Sequence, residues 1–382
     1  MTGETRHLEG VVSLVVDKGI AAMVQENLQE GNLVDQRFKP KAAGNLIMIP
    51  IIDKRLVAEQ IWFDMEKHSF AVTELEPSRK RLTPNQELIK QVTNLCKIYG
   101  IQITPQMMNN IPRKWEIFGD LAVIQSKSFT SSEWLNLFSR RPDIVSELWS
   151  TTAQCLKVTR LARQAEIADD VLRSSQVTML YGASGEVEFT DYGVKFWLDV
   201  TKVMFSSGNV TERHRIGNID MTGESVIDAF AGIGYYTLPM LVRSNADHVY
   251  ALELNPNSIF ALNRGAEING VADRLTIIPG DNQESMTKLV GIADRVHLGI
   301  LPSSESTWRL AVDCLKPTGG ILHIHMNVAD SNIDTLADRC LFDLTSYAVK
   351  EKGFSNVSLV HLEKVKWYAP RIRHIVIDLV IS

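Results

Sequence analysis

Three short β-type runs in the second half of the chain each end at an acidic residue. In chain order they are Val226–Ile227 before Asp228, His248–Leu252 before Glu253, and Leu275–Gly280 before Asp281 and Asn282. Runs of this length that alternate with helical stretches are typical of a parallel sheet with crossover helices. The chain from residue 186 onward is therefore predicted to fold as a Rossmann-like, mostly parallel α/β sheet.

The residues that end these runs predict a nucleoside pocket. The carboxyl ends of parallel strands meet at one edge of a sheet, and ligands bind in the crevice beyond that edge. Gly232 and Gly234 allow a sharp turn that brings the backbone close to a ligand. Glu253 lies about one strand–helix–strand unit after the first run, where a carboxylate accepts hydrogen bonds from ribose hydroxyls. Asp281, with Asn282, is expected to bind the adenine edge.

The glycine pattern separates two kinds of nucleotide site. A dinucleotide fingerprint requires a third glycine three residues after the second, and Thr237 stands at that position. The sequence therefore does not support a site in which a pyrophosphate lies against a closely packed helix. It does support a pocket for one charged nucleoside. We expect S-adenosylmethionine as the ligand, and the alternatives are a dinucleotide or an α/β core that binds nothing.

Composition sets the broad class of the protein. Of 382 residues, 45% are apolar, which is enough for the cores of two or three domains. The four cysteines show no paired spacing, so neither a disulfide framework nor a zinc site is predicted. No signal-type segment or membrane-length apolar run is apparent, so we expect a cytoplasmic protein without membrane contact. A net charge of −5 disfavours general binding of polyanions. A nucleic acid is therefore expected to bind only at local basic faces of the protein.

Three regions are predicted along the chain: a small α+β domain over residues 1–76, a middle α+β region over residues 77–185, and the Rossmann-like domain over residues 186–382. A strand is expected over Gln60–Phe63 and one helix over Ser131–Lys157. Basic clusters are candidate phosphate contacts, although each alone is more often a solvated surface. They are Arg79–Arg81, Arg113–Lys114, Arg140–Arg141, Lys157 with Arg160 and Arg163, and Lys364 with Lys366, Arg371 and Arg373.

Several stretches resemble a known superfamily. Phe189–Ser206, Asn209–Arg213 and Asp228–Gly234 are similar to the superfamily that joins tRNA guanine-N1 methyltransferases to the tRNA wybutosine-synthesizing protein 2 family. Leu298–Glu305 and Gly319–Val328 resemble the wybutosine branch, which transfers the 3-amino-3-carboxypropyl group of S-adenosylmethionine and not its methyl group. The resemblance implies a class I S-adenosylmethionine-dependent transferase with smaller amino-terminal domains.

The reaction that this resemblance implies is aminocarboxypropyl transfer to C7 of 4-demethylwyosine at position 37 of phenylalanine tRNA, with methylthioadenosine as coproduct. Enzymes that methylate a base nitrogen commonly place Asn or Asp before a proline at the end of the fourth strand. Ile300 stands there, and its side chain accepts neither a proton nor a hydrogen bond. The alternatives are a tRNA guanine-37 N1-methyltransferase and a non-catalytic tRNA-binding protein.

The resemblance also assigns residues near the methionyl arm of the cofactor. Ser206 and Arg213 match positions expected to contact the cofactor, and the guanidinium of Arg213 is the candidate partner of the methionyl carboxylate. Glu212 is a candidate catalytic residue that binds the amino group or accepts a proton, and a plain surface charge is the alternative. Asp228 is expected to order the glycine turn through backbone amides.

Pro302 and Ser303 are candidates for the edge that binds the base. The alternative is that Ser303 or Ser304 caps the following helix. His323 and His325 alternate on a predicted strand and so face the same side. No third ligand is spaced to join them, so no metal site is predicted, and we expect the two histidines to support the crevice by hydrogen bonds.

Overall fold

Two units divide the chain, Met1–Thr83 and Pro84–Ser382. The structure, a computed structural model, describes residues 10–76, 82–165, 177–205 and 207–382. No helix in these ranges is long and apolar enough to span a membrane. The domain boundaries predicted at residues 76 and 185 stay predictions.

The first unit contains a four-stranded antiparallel sheet in the order β2-β3-β1-β4. Its elements are β1 (Gly10–Asp17), α1 (Ala21–Glu30), β2 (Lys41–Ala43), β3 (Leu46–Pro50), α2 (Lys54–Ala58) and β4 (Ser69–Glu74). The strand predicted over Gln60–Phe63 is wrong, because this segment forms turns whose Trp62 and Phe63 pack on the core. Short apolar runs are ambiguous by periodicity alone, and the sheet pairs instead with the later β4.

The second unit begins with helices around a mixed four-stranded sheet in the order β5-β6-β7-β8. The elements are α3 (Pro84–Ile98), α4 (Pro105–Asn109), β5 (Trp115–Phe118), β6 (Leu121–Ile124), α5 (Ser132–Arg140), α6 (Pro142–Cys155), β7 (Arg160–Gln164) and β8 (Val177–Tyr181). The single helix predicted over Ser131–Lys157 is two helices. Pro142 lacks the N–H that would continue α5 and stands in the first turn of α6.

The rest of the second unit alternates strands and helices. Its elements are β9 (Glu186–Asp191), β10 (Val194–Asp199), α7 (Val210–Ile216), β11 (Ser225–Asp228), α8 (Thr237–Val242), β12 (His248–Glu253), α9 (Pro256–Asn269), β13 (Leu275–Pro279), α10 (Asn282–Met286), β14 (Arg295–Leu298), α11 (Trp308–Cys314), β15 (Gly320–Ala329), α12 (Ile333–Lys352), β16 (Val357–Ala369) and β17 (Ile372–Ile381). Seven of these strands form one sheet in the order β13-β12-β11-β14-β15-β17-β16. The pairings from β13 to β15 are parallel, whereas β17 is antiparallel to both its neighbours. The predicted Rossmann-like, mostly parallel fold is confirmed.

The strand order places a crevice between β11 and β14. After β11 the chain builds β12 and β13 on one side, and then crosses over to build β14 and β15 on the other. Such a reversal is the switch point at which open α/β sheets bind ligands, beyond the carboxyl ends of the strands. The hairpin of β9 and β10 packs beside this sheet, and its Phe196 and Leu198 share a buried core with Phe118 and Leu121 of the preceding sheet.

Candidate active site

A cavity of about 330 Å³ lies at the carboxyl ends of β11 to β14. The turn after β11, the last residue of β12, the start of α10 and the segment after β14 all contribute to its wall. The residues that they contribute include Gly232, Glu253, Asp281, Asn282 and Gly299–Leu301. The structure therefore brings the three predicted strand ends together around one cavity.

The Glu253 carboxylate is held by two backbone amides on the cavity wall. Oε2 accepts a hydrogen bond of 2.7 Å from the Gly232 N–H, and Oε1 accepts one of 2.8 Å from the Asn255 N–H. Burial raises the pKa of this carboxyl group, and the backbone hydrogen bonds act in the opposite direction. A carboxylate fixed in this way presents its remaining lone pairs to hydroxyl groups of a ligand.

The turn after β11 requires glycine at two positions. Gly232 has a φ of 57° and Gly234 a φ of 93°, in the left-handed region that favours glycine. A Cβ on Gly234 would lie 2.6 Å from Cδ1 of Leu262 and 2.7 Å from Cγ of Leu238. Gly232 thus shapes the cavity wall, and Gly234 lets α8 and α9 pack closely behind it.

Asp228 lies behind the glycine turn and is fully buried. Its Oδ2 accepts a hydrogen bond of 2.7 Å from the Thr237 hydroxyl, and its Oδ1 accepts one of 3.4 Å from the Phe230 N–H. Nδ1 of His297 lies 3.6 Å from the same Oδ1. The carboxylate is not part of the described cavity wall, so any effect of Asp228 on a ligand passes through the turn.

Asp281 and Asn282 follow β13, and both line the cavity and hold α10 in place. Oδ1 of Asp281 accepts hydrogen bonds of 2.8 Å and 3.2 Å from the N–H groups of Gln283 and Glu284, so this oxygen caps α10. Oδ2 takes no part in the cap. Asn282 donates from Nδ2 to the Ala229 carbonyl at 3.1 Å, which ties α10 to the turn after β11.

Arg213 is held in a buried ion pair away from the described cavity wall. Its Nε and Nη2 donate to Oδ2 of Asp191 at 2.9 Å and 2.8 Å. The guanidinium carbon also lies 4.9 Å from the ring centroid of Phe205. Ser206, the other residue expected to contact the methionyl arm, lies outside the described residues. The predicted contact of Arg213 with the methionyl carboxylate of the cofactor stays a prediction.

Glu212 is fully buried, so the alternative that it is a surface charge is wrong. Both of its carboxylate oxygens accept hydrogen bonds of 2.8 Å from Arg215. Arg215 also donates to Asp378 of β17 at 2.7 Å and 3.2 Å. Burial raises the pKa of Glu212 above its ordinary value, although Arg215 opposes this. The catalytic role predicted for Glu212 stays a prediction, and its side chain is not part of the described cavity wall.

Pro302 and Ser303 directly follow the cavity-lining residues Gly299–Leu301. The Pro302 carbonyl accepts a hydrogen bond of 2.8 Å from the Asn327 N–H, and Ser303 forms an isolated antiparallel bridge with Met326. These contacts anchor the segment to β15 beside the cavity. Neither residue is in the described wall, so their predicted contact with the base stays a prediction.

The two serines after Pro302 have different partners. Oγ of Ser303 accepts a hydrogen bond of 3.2 Å from the Glu305 N–H, where a short 3₁₀ turn leads into α11. Ser304 is buried, and its Oγ accepts a hydrogen bond of 3.1 Å from the indole of Trp308 and donates one of 3.3 Å to the His325 carbonyl. Neither serine caps α11, whose N-cap is Thr307, so the capping alternative is wrong: Ser303 closes a local turn before the 3₁₀ helix, and Ser304 joins α11 to β15.

Buried histidines from three neighbouring strands form a hydrogen-bonded row beneath the cavity. His325 contacts His297 at 3.1 Å and His374 at 3.0 Å, and His323 contacts Asp378 at 2.7 Å. Sequence reasoning found only the two histidines of β15, because the others come from β14 and β17. Within the described ranges, no three His, Cys, Asp or Glu side chains are grouped as a metal site.

These histidines predict a stability that depends on pH. Burial lowers the pKa of His323 and of His374 from 6.5 to about 4, and it lowers the pKa of His325 as well. The unfolded chain therefore takes up these protons first, so stability is present above pH 6.5 and is lost as the pH falls towards 4. We expect the free energy of unfolding to fall by about 2 kcal/mol from pH 7 to pH 6, because each of the three histidines contributes about 0.7 kcal/mol.

Urea denaturation at a series of pH values measures this dependence. His374→Asn is expected to reduce the fall in the free energy of unfolding between pH 7 and pH 6, since one buried histidine no longer titrates. His361→Gln is the matched control, because His361 is exposed. A free energy of unfolding that stays constant between pH 7 and pH 6 would contradict the prediction.

Polar residues that the sequence did not single out also line the cavity. They include Asn209, Asn255 and Ser258. Isolated amides and hydroxyls in loops and at helix starts carry no periodic signal, so a single sequence does not distinguish them from ordinary caps. Only Asn209 stands in a stretch to which the resemblance draws attention.

A second cavity, of about 360 Å³, lies beside the first within the second unit. The two share Val203 and Met204 in their walls. The second cavity is lined partly by aromatic side chains, among them Trp115, Phe118 and Phe205. Planar groups of this kind stack on nucleobases, and Lys114 and Glu116 add one charge of each sign to the wall.

Many of the predicted phosphate contacts already have partners in the chain. An arginine with a carboxylate neighbour presents less positive charge to a phosphate. The pairs are Arg141 with Asp143, Arg160 with Asp120, and Arg373 with Asp330. Arg79–Arg81 lies outside the described residues, so phosphate binding by these clusters stays a prediction.

The strand order and the cavity together define the class of protein. A parallel sheet with an antiparallel β17, a glycine turn after β11 and an acidic residue at the end of β12 are the features of a class I S-adenosylmethionine-dependent transferase. Residues 187–352 match the TRM5/TYW2 methyltransferase domain, and residues 98–185 match the TYW2 N-terminal domain. The chain belongs to the tRNA wybutosine-synthesizing protein 2 family, and the predicted resemblance is confirmed.

Relatives and solved structures support this membership. The tRNA wybutosine-synthesizing protein 2 homolog of Danio rerio is 33% identical over 412 residues, which cover 97% of this chain and 99% of the relative. The tRNA wybutosine-synthesizing protein 2/3/4 of Arabidopsis thaliana is 40% identical over 303 residues, which cover 79% of this chain and 29% of the relative. A crystal structure of P. horikoshii TYW2 in complex with MeSAdo has 26% identity and a TM-score of 0.59, and covers 76% of this chain and 98% of that one.

The lengths of these relatives differ. The chain spans about 29% of the length of the Arabidopsis relative but nearly all of the zebrafish one.

Proposed function

We propose that this chain transfers the 3-amino-3-carboxypropyl group of S-adenosylmethionine to C7 of 4-demethylwyosine at position 37 of phenylalanine tRNA. The observation that carries the proposal is the cavity in which Gly232, Glu253 and Asp281 meet beside the apolar pair Ile300 and Leu301. The P. horikoshii TYW2 structure in complex with MeSAdo supports it, because methylthioadenosine is the coproduct that this transfer leaves.

The residues of the cavity suit a charged nucleoside. Gly232 lets the ligand approach the backbone, and Glu253 would hold the ribose hydroxyls at the end of β12. Asp281 and Asn282 would hold the adenine edge, where Oδ2 of Asp281 remains outside the helix cap. The fit also includes the polar groups of Tyr236 and Asn209, which face each other in the wall of the cavity.

Orientation is the main task of the chain in this reaction. When bound, S-adenosylmethionine supplies a sulfonium-activated carbon that bonds to C7 while the thioether leaves as methylthioadenosine and C7 loses its proton. Three carbons flank the sulfur, so the product depends on which of them the protein aligns with the acceptor. Ile300 and Leu301 accept no proton, which suits an electron-rich ring carbon better than a ring nitrogen.

The second cavity supports the binding of a flipped base. It adjoins the first at Val203 and Met204, and the rings of Trp115, Phe118 and Phe205 offer surfaces for stacking. The middle region would then position the tRNA while the cavity specifies the base. The cytoplasmic location predicted from the sequence belongs to the same proposal.

Two labelled forms of the cofactor test the proposed transfer. The full chain is incubated with phenylalanine tRNA that carries 4-demethylwyosine, using S-adenosylmethionine labelled either in the carboxyl group or in the methyl group. We expect the carboxyl label in the tRNA and the methyl label in methylthioadenosine, and mass spectrometry should show the aminocarboxypropyl mass on the base.

The alternatives give different results in the same experiment. Methyl label in tRNA that carries an unmodified guanine at position 37 would identify a guanine-N1 methyltransferase. A chain that binds the tRNA but no cofactor would be the non-catalytic protein. Either outcome would overturn the proposed function.

A further inference from the structure

The hairpin of β16 and β17 carries two neighbouring aromatic side chains that are exposed. Trp367 is 54% exposed and Tyr368 is 58% exposed. The pairing of β16 with β17 is interrupted between Trp367 and Ala369, and such bulges re-aim side chains and are common next to active sites. We call residues 364–373, which include the turn between the two strands, the hairpin tip. Exposed apolar surface with a polar rim marks a site of interaction.

The hairpin tip is strongly basic. Its ten residues include four cations and no Asp or Glu, on a chain whose net charge is −5. The guanidinium carbon of Arg373 lies 3.7 Å from the ring centroid of Trp367, and Nε of Arg373 donates to Asp330 at 3.1 Å. The other three cations form no ion pair with a carboxylate in the described part of the chain. They are Lys364, Lys366 and Arg371. The tip therefore offers positive charge beside a Trp ring that Arg373 holds in place.

The hairpin tip lies at the same edge of the central sheet as the nucleoside cavity. β17 begins at Ile372, which pairs with Ala329 at the carboxyl end of β15. The cavity lies at the carboxyl ends of β11 to β14, and β14 runs parallel to β15. Three strand spacings of about 4.8 Å separate β14 from β16, roughly 14 Å in total. Lys366 is also packed against Gly208, whose neighbour Asn209 lines the cavity. A nucleotide next to one held at the cavity can therefore reach the tip.

A single-stranded nucleic acid is the partner that these features fit. Bases of any sequence stack on aromatic rings, and cations attract the phosphates between them. A second protein that adds a strand to the sheet fits less well, although β16 is an edge strand. The pairing of β16 is irregular at three places, and the strand carries Lys364 and Lys366. Both features blunt an edge against a further strand.

We propose that the hairpin tip binds the tRNA beside the modified nucleotide. Trp367 and Tyr368 stack on the base of a nucleotide that neighbours position 37, and the cations of the tip hold its phosphates. A base that leaves the stack to enter a cavity takes stacking away from its neighbours. The rings of the tip replace the lost contact and so stabilise the loop in the open form that the transfer requires. The inference rests on the proposed function, which supplies the identity of the RNA and of the target nucleotide.

Binding of tRNA without any cofactor tests the inference apart from the transfer step. The probe is end-labelled phenylalanine tRNA ligated from synthetic halves, and fluorescence anisotropy with the full chain measures its affinity. Trp367→Ala should weaken binding by about tenfold, whereas Trp367→Phe keeps a ring and should stay within about threefold. Phe342→Ala is the matched control, because Phe342 is an exposed aromatic residue of α12 outside the tip. It should leave the affinity unchanged.

Abasic probes identify the base that stacks. Two further tRNAs lack the base just before position 37 or the base just after it. One of them already lacks the stacked base, so Trp367→Ala should weaken its binding by less than about twofold. The affinity of each variant for methylthioadenosine should stay within about twofold of the wild type, which shows that the fold of the cavity is intact.

Salt dependence tests the cations of the tip. The double variant Lys364→Gln and Arg371→Gln should lower the slope of log Kd against log salt concentration by about 0.7 for each charge removed. Lys350→Gln is the control, because Lys350 is an exposed residue in the last turn of α12, outside the tip. It should leave the slope unchanged.

The outcomes separate this inference from the proposed function. If Trp367→Ala binds intact tRNA as the wild type does, or loses the same affinity for both abasic tRNAs as for the intact one, the inference is overturned while the transfer reaction stands. If the wild-type chain transfers only the methyl group but the variants behave as described, the proposed function fails and the tip keeps its assignment. A wild-type chain that binds no phenylalanine tRNA would overturn both.

Discussion

Substitution of Glu253 by alanine is expected to weaken the binding of S-adenosylmethionine by roughly 100-fold. A hydrogen bond to a charged group contributes about 1.5–3 kcal/mol, and two bonds to the ribose would be lost together. The same change removes the acceptors of the Gly232 and Asn255 N–H groups, so the glycine turn also loses its support. Isothermal titration calorimetry with the purified chain measures the change.

The choice of ligand makes this result specific. Methylthioadenosine contains the ribose, so Glu253→Ala should weaken the binding of methylthioadenosine as much as it weakens the binding of S-adenosylmethionine. Glu267→Ala is the control, because Glu267 is an exposed residue of α9 that pairs with Arg264. An affinity of Glu253→Ala equal to that of the wild type would rule out the ribose assignment.

Removal of the Arg215 side chain is expected to destabilise the second unit by about 3–5 kcal/mol. The guanidinium pairs with Glu212 and with Asp378 at distances of 2.7–3.2 Å. Both carboxylates are buried, with Glu212 at 0% and Asp378 at 4% exposure. Without Arg215, Glu212 loses the partner of both its oxygens and Asp378 keeps only its contact with His323. The buried carboxylates must then either stay charged without a cation or take up protons, and each of these costs free energy.

Chemical denaturation of Arg215→Ala against the wild type measures this loss. Arg264→Ala removes a pair whose members are about half exposed, and a change below about 1 kcal/mol is expected because solvent screens such pairs. If Arg215→Ala were no more destabilised than Arg264→Ala, the stability of the fold would not depend on the pairing of Glu212 and Asp378 with Arg215. A stability loss without loss of cofactor affinity would also argue against a direct catalytic role for Glu212.

The central sheet was predictable to within a few residues because its signals are local. The predicted runs that end at Asp228 and at Glu253 are β11 and β12, since strands buried on both faces read as continuous apolar runs. Glycine and acidic residues at their ends mark the turns into the next helices. The same reasoning failed at Gln60–Phe63, where a short aromatic run packs as a turn.

The roles of charged residues were harder to predict. The resemblance assigns Arg213 to the cofactor, yet the side chain pairs with Asp191 of the preceding hairpin. Glu212 was weighed as a surface charge or a ligand, and it is buried against Arg215. A single sequence shows which residues carry charge, but the partner of each charge depends on which elements pack side by side.

The sequence by itself determined the class of the fold and the strand ends that form the nucleoside pocket, because hydrophobic periodicity and turn chemistry act between residues close in the chain. Only the tertiary structure decided which buried charged and titratable groups meet. Arg215 meets Asp378 across 163 positions of the chain, and His325 meets His297 and His374 only through the order of the sheet. Such pairings depend on which elements pack side by side, so no local pattern in the sequence indicates them.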